Sequence, residues 1–271
     1  MPTKIIAHRG ASAYKPENTI PAFALAIEQG AEGLELDVHL SKDGEVVVAH
    51  DLTLERVSNG IGRICDYNLA ELKKLDFSKV FSMHSHGVQT PSSSHQPIIG
   101  NPSFDYEPCT LPTLAEVYAL VAGSQVSNAP LTINVELKTT QELYPAMPEK
   151  LIKLEKEYAM EGRITYSSFN HYSLMAIKQY NKSAQIGILY DLGMVDPWVY
   201  AEYLQATAIH PHYSIIAALP ETVHECHKRG IEVNVWTVDD PAAIKYMLSL
   251  GVDNLMTNKP DTALQIRQQT Q

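Results

Sequence analysis

Short apolar runs recur along the chain, and most of the intervals between them carry helical periodicity. The runs predict strands over Lys4–Ala7, Gly33–Val38, Leu131–Leu137, Arg163–Ser167, Gln185–Tyr190, Ala206–Ile209, Glu232–Thr237 and Asn254–Thr257. Helical patterns cover Thr19–Gln29, Pro145–Tyr158, Tyr172–Gln179, Pro220–Arg229 and Pro241–Leu250. Pro near the first turn and Gly just past the last, as in Pro220 with Gly230 and Pro241 with Gly251, are start and stop signals. Eight strands separated by helices predict a closed (β/α)8 TIM barrel rather than an open doubly wound sheet. The open fold would want a glycine-rich phosphate loop after its first strand, and Arg9–Asn18 carries a single glycine.

One interval breaks the rhythm. After the second strand, the turn Ser41-Lys42-Asp43-Gly44 leads into Val46-Val47-Val48, a hairpin signal. A short helical pattern follows around Leu69–Leu75, and the Ser-, Pro- and His-rich stretch from Ser82 to Pro112 has no periodicity. Periodicity returns at Leu114–Val121. The expectation is one barrel domain over residues 1–271, with a small insertion after the second barrel strand, residues 40–111, on the C-terminal face.

The strands end in groups that are costly to bury unless paired or metal-bound. His8-Arg9 follows the first; Glu35 and Asp37 lie within the second; Glu136 and Lys138 close the third. Alternation puts Glu35 with Asp37, and Glu136 with Lys138, on one face. Carboxylates meeting at the C-terminal strand ends would make an oxygen-rich site for one divalent cation, Mg²⁺ or Ca²⁺. The competing reading is a salt-bridge network with Arg9 and Lys138. His8 and His50, each at the end of an apolar run, are the acid–base candidates. Arg9 offers a planar fork for phosphate or carboxylate, and Lys138 a compact positive charge.

A net charge of −10 without a basic stripe argues against nucleic acid as a partner. Cys65, Cys109 and Cys226 are widely spaced and read as free thiols. The first strand begins too early to leave room for a signal peptide, and no run is long enough to span a membrane. A cytoplasmic protein without stable membrane insertion is expected; its oligomeric state is not encoded in any motif.

His8-Arg9-Gly10, Pro16-Glu17-Asn18-Thr19, Glu35-Leu36-Asp37, Asp43-Gly44 with His50-Asp51, Leu111-Pro112-Thr113-Leu114, Glu136-Leu137-Lys138, Ser167-Ser168-Phe169, Trp236-Thr237-Val238 and Gly251-Val252-Asp253 occur in that order. As a set they closely resemble the glycerophosphodiester phosphodiesterase family over nearly the whole chain. The resemblance implies a (β/α)8 barrel with an insertion after the second strand, and hydrolysis of glycerophosphodiesters, small-molecule substrates, to glycerol 3-phosphate and an alcohol. It implies Glu35, Asp37 and Glu136 as metal ligands and His8 and His50 as general base and acid, in an order the residues themselves do not decide. Arg9 and Lys138 would hold the phosphate, Asn18 would belong to the inner polar shell, and Phe169 and Trp236 would wall the glycerol carbons. The alternative for these aromatics is barrel core.

The chain departs from the family pattern at Thr257-Asn258-Lys259-Pro260, where an aspartate commonly follows the threonine. The change touches no expected metal ligand and weakens any polar role for Asn258. His84, His86 and His95 lie in the aperiodic stretch without a neighbouring thiol and are left out of the site. Two other activities fit the same residues: a lysophospholipase D-type phosphodiesterase, for which the insertion offers only Phe77, Val80 and Phe81 as a groove, and a catalytically silent binding barrel.

Overall fold

A computed structural model of the chain describes residues 2–78, 108–126 and 129–270. Val80, Phe81, His84, His86 and His95 lie outside these residues.

The strands are β1 (Lys4–His8), β2 (Gly33–Leu40), β3 (Val46–Val48), β4 (Gln125–Val126), β5 (Ala129–Pro130), β6 (Thr132–Leu137), β7 (Ile164–Ser168), β8 (Gln185–Tyr190), β9 (Ala208–Pro211), β10 (Glu232–Val235) and β11 (Asn254–Thr257). In the main sheet, eight strands run parallel in the order β1-β11-β10-β9-β8-β7-β6-β2, and β1 pairs with β2 to close the barrel. The predicted TIM barrel is therefore the observed fold. Helices over Ile20–Glu28, Leu114–Ala122, Met147–Glu157, His171–Tyr180, Glu221–His227 and Pro241–Leu250 coincide with the sequence patterns. Helices over Pro197–Tyr203, Tyr213–Ala218 and Pro260–Thr270 complete the ring. Strand β9 begins later than expected and continues through His210 and Pro211.

Strand β2 shows why the pattern folds this way. All eight of its positions are buried. Leu34, Leu36 and Val38 join the main apolar cluster with Phe23, Val117 and Leu151 of the surrounding helices. Their alternates Glu35 and Asp37 belong to a compact group of carboxylates, as period-two alternation requires.

At its far end β2 turns back. Ser41 N donates to Glu45 O, Gly44 takes φ 81° and donates its N–H to Ser41 O, and β3 pairs antiparallel with β2. Gly44 suits the left-handed region, where a Cβ is costly. Residues Val47, Ala49, Leu54, Ile64, Leu72, Phe77 and Leu111 then form a second small core. Phe77, 6% exposed within it, is packing rather than part of a groove.

The barrel interior carries a polar layer that periodicity did not announce. Asn134 Nδ2 donates to Ser167 Oγ at 2.9 Å, Asn234 Nδ2 to His210 Nε2 at 2.9 Å, and Asn254 Nδ2 to Asn234 Oδ1 at 2.6 Å. The His210 imidazole occupies the space that a side chain at position 187 would need, which explains Gly187 in the middle of β8. Burial lowers the His210 pKa to about 3, so the ring stays neutral.

Candidate active site

Strand register assembles the site. His8 on β1 is opposite Glu35 on β2, and Asp37 on β2 is opposite Glu136 on β6. His50 arrives from the hairpin: Ala49 N donates to Asp37 O at 3.0 Å, and the buried His39 ring approaches His50 O through Nε2 at 3.2 Å. The loop after β1 supplies Arg9 and Asn18, both with left-handed backbones, φ 57° and 56°. These are sparsely populated conformations, held here by Asn18 N donating to Arg9 O at 3.0 Å. Together His8, Arg9, Glu35, His50, Glu136, Lys138, Phe169 and Trp236 line one cleft.

Ligand atoms of Glu35, Asp37 and Glu136 all fall within 4.8 Å of one another. Burial first, then the neighbouring Asp37 and Glu136 carboxylates, push the Glu35 pKa well up. Burial also pushes Asp37 up, but Arg9 and Lys138 outweigh it and hold that carboxyl well below the usual range. Burial and Asp37 raise Glu136, although Lys138 opposes them. Arg9 Nε lies 3.2 Å from Asp37 Oδ2, and Lys138 Nζ lies 2.8 Å from Glu136 Oε1. Asn18 Nδ2 donates to Asp37 Oδ2 at 2.8 Å, leaving buried Asp37 Oδ1 without a hydrogen bond. Three crowded buried carboxylates, one with an oxygen that has no hydrogen bond and that Lys138 Nζ approaches only to 3.6 Å, could hold a hard divalent cation.

The two histidines have different partners. His8 Nδ1 is 2.7 Å from Asn258 Oδ1, while its Nε2 lies 3.9 Å from Glu35 Oε2. Burial, reinforced by Arg9, lowers the His8 pKa to about 4. His50 Nδ1 instead meets the carboxylate of Asp51. Phe169 is 36% exposed and packs edge-on against Trp236, ring centroids 5.6 Å apart, so it belongs to the cleft and not to the core. Trp236 Nε1 donates to His210 O at 2.8 Å, which fixes the indole from below.

Every candidate named from the sequence thus reaches this one place. Further residues reach it that were not named as candidates, Glu17, Asp51, Arg56, Asp239 and Asn258 among them. Arg56 binds Glu17 and Asp51, and Glu17 also accepts from Arg9 at 3.0 Å. Asn258, expected to matter little, touches His8, and Asp239 holds Asn258. The acidic Pro16-Glu17 and His50-Asp51 pairs were visible signals; nothing local pointed to Arg56 or Asp239, which lie in aperiodic segments.

Comparison with known proteins identifies the family and the fold. The model of the family described as "Glycerophosphoryl diester phosphodiesterase family" matches residues 8–262. The chain is 41% identical over 266 residues, 98% of each chain, to a glycerophosphodiester phosphodiesterase of Caldanaerobacter subterraneus. A crystal structure from Silicibacter pomeroyi shares the fold with a TM-score of 0.85 at 24% identity, covering 98% of this chain and 93% of that one. An Oleispira antarctica phosphodiesterase, solved with the product sn-glycerol-3-phosphate, superposes with a TM-score of 0.80 at 27% identity, covering 98% of this chain and 96% of that one.

Proposed function

This chain belongs to the glycerophosphoryl diester phosphodiesterase family, and from that premise we propose that it hydrolyses glycerophosphodiesters to glycerol 3-phosphate and an alcohol. One observation carries the reading: two histidines, two cations and three carboxylates converge on one cleft beside an aromatic wall. The product bound by the Oleispira relative supports glycerol 3-phosphate as the product here. We read residues 1–271 as one catalytic barrel and residues 40–111 as an insertion that delivers His50.

Glu35, Asp37 and Glu136 would hold one divalent cation, Mg²⁺ or Ca²⁺, whose chemistry there is to neutralise charge on the phosphate oxygens. Arg9 and Lys138 bind the same phosphate and stabilise its developing charge. Asn18 keeps Asp37 oriented. Phe169 and Trp236 present an apolar face to the glycerol carbons.

The partners of the histidines support a division of labour. His8, neutral and bonded to an amide, is the base that takes the proton of the glycerol 2-hydroxyl. That oxygen attacks phosphorus, and the ester bond to the departing alcohol breaks. His50, whose ring is held through Nδ1 by the Asp51 carboxylate, gives its proton to the departing oxygen. Water then opens the cyclic phosphate with the proton roles reversed.

The test is a panel of glycerophosphodiesters with product identification, run on metal-stripped and metal-restored enzyme. Glycerol 3-phosphate release restored by Mg²⁺ or Ca²⁺ is expected, and its absence with every substrate would refute the reading. A 2-deoxy substrate turning over at an unchanged rate would eliminate internal attack. Lysophosphatidylcholine as the better substrate would favour lysophospholipase D action, and binding without turnover a silent barrel.

A further inference from the structure

Asn258 stands at the end of β11 with its amide between partners of opposite character. Its Nδ2 is 2.5 Å from Asp239 Oδ2, and its Oδ1 is 2.7 Å from His8 Nδ1 and accepts from Ser12 Oγ at 2.7 Å. A carboxylate oxygen only accepts, so the atom facing Asp239 must be the NH2 group and the atom facing His8 the carbonyl. The carbonyl also only accepts, so the proton of neutral His8 must sit on Nδ1. Asp239 cannot turn away, because its Oδ1 accepts from Thr257 Oγ1 at 2.8 Å and from Asn258 N at 2.8 Å. Two residues from different strand ends therefore set the tautomer of a third.

We propose that Asn258 and Asp239 form a positioning pair for His8: Asp239 orients the amide, and the amide fixes His8 as the Nδ1–H tautomer with the Nε2 lone pair turned toward Glu35 and the cleft. Neither member lines the cleft, and the pair acts on it through His8. It relocates the carboxylate one residue further from the histidine than in the His50–Asp51 arrangement, with a neutral amide as the intermediary. This role for the pair rests on the proposed function only where it concerns turnover; the tautomer itself does not.

Substitution makes the dependence visible. In Asp239→Asn the backbone N–H of residue 258 still requires Oδ1 as acceptor, so the new amide would face Asn258 Nδ2 with its own NH2 group. Two donors at 2.5 Å cannot coexist, and the Asn258 amide must rotate, presenting NH2 to His8. His8 would then carry its proton on Nε2, the wrong nitrogen for a base facing the cleft. Adding Asn258→Asp to that variant exchanges carboxylate and amide, and returns an acceptor to His8 Nδ1.

The experiment combines ¹⁵N chemical shifts of the His8 ring, assigned by loss of the signal in His8→Ala, with kinetics on glycerophosphocholine. Wild type is expected as Nδ1–H, Asp239→Asn as Nε2–H, and Asp239→Asn/Asn258→Asp as Nδ1–H again. The kcat of Asp239→Asn should fall by roughly tenfold or more with KM changed by less than about twofold, and the double variant should recover most of it. An Nε2–H tautomer in wild-type protein overturns the proposal even if no variant folds. So does an unchanged tautomer in folded Asp239→Asn, or a folded double variant no faster than the single one. A wild-type enzyme with the expected tautomer but no glycerophosphodiester turnover would refute the proposed function and leave the positioning pair standing.

Discussion

Nδ1 of His50 lies 2.5 Å from Oδ1 of Asp51, so the carboxylate holds a ring that lines the cleft. Asp51 is itself fixed by Arg56, whose Nε reaches Asp51 Oδ2 at 2.5 Å and whose remaining nitrogens bind Glu17 at 2.7 and 3.0 Å. Asp51→Asn and Arg56→Ala should each lower kcat by about 10–100-fold with smaller changes in KM, because both disturb the orientation of His50 rather than substrate binding. Steady-state kinetics on purified variants that keep the wild-type melting temperature check this. A main effect on KM would mean that Arg56 contacts the substrate instead.

Removing either histidine should do more. His8→Ala and His50→Ala are each expected to lower kcat by roughly 10²–10⁴-fold, the usual contribution of a positioned acid or base. The double variant should lose less than the product of the two, since they act as one unit. If one of the single variants keeps more than about a tenth of kcat, outside that range, that histidine only packs.

Glu35→Gln keeps the side-chain shape and removes one charge of the carboxylate group. Divalent-cation affinity should drop sharply, while unfolding is little changed or slightly more costly, because a crowded buried carboxylate is relieved. Calorimetric titration with Mg²⁺ and Ca²⁺ measures it. Wild-type affinity would remove Glu35 from the ligand set.

Glu17 links this chemistry to acid stability. Burial pushes its carboxyl up, but Arg9 and Arg56 prevail and hold it at about 2 against an ordinary 4.5. A depressed folded-state pKa contributes stability that is fully present above the ordinary value and is lost as pH falls toward the folded one. Denaturation midpoints should therefore decline between pH 4.5 and about 2, and Glu17→Gln should flatten that decline. Parallel pH profiles for the two proteins would show that this ion pair is not the source.

Gly187→Ala tests the polar layer under the site. An added Cβ would stand 2.2 Å from His210 Nε2, inside a fully buried ring contact. Overpacking of this kind costs about 1–3 kcal/mol, and the displaced ring would disturb the Trp236 indole that His210 O holds. Urea unfolding with unchanged midpoint would mean that the ring moves aside freely.

The barrel was legible because its signals are local. Each strand announces itself by a short apolar run, each helix by its period, and the hairpin by Asp43-Gly44. The charged group at each strand end was legible too, since buried charge in an apolar run stands out whatever surrounds it. Helices such as Pro197–Tyr203 and Tyr213–Ala218 were harder to see, being short and flanked by loop residues. Phe169 could not be divided between core and cleft from the sequence, because an aromatic after a strand satisfies both patterns.

The sequence by itself determined the fold class, the polar residues His8, Arg9, Glu35, Asp37, Glu136 and Lys138 that the strand ends bring to the site, and the family to which they correspond. Only the tertiary structure decided their pairings: His8 with Asn258 across the full length of the chain, His50 with Asp51, Arg56 with Glu17, and an orphaned oxygen on Asp37. The reason is physical. Periodicity and apolar runs depend on near neighbours and survive in one dimension, whereas hydrogen bonds and charge interactions depend on distances of a few ångströms that barrel closure alone creates.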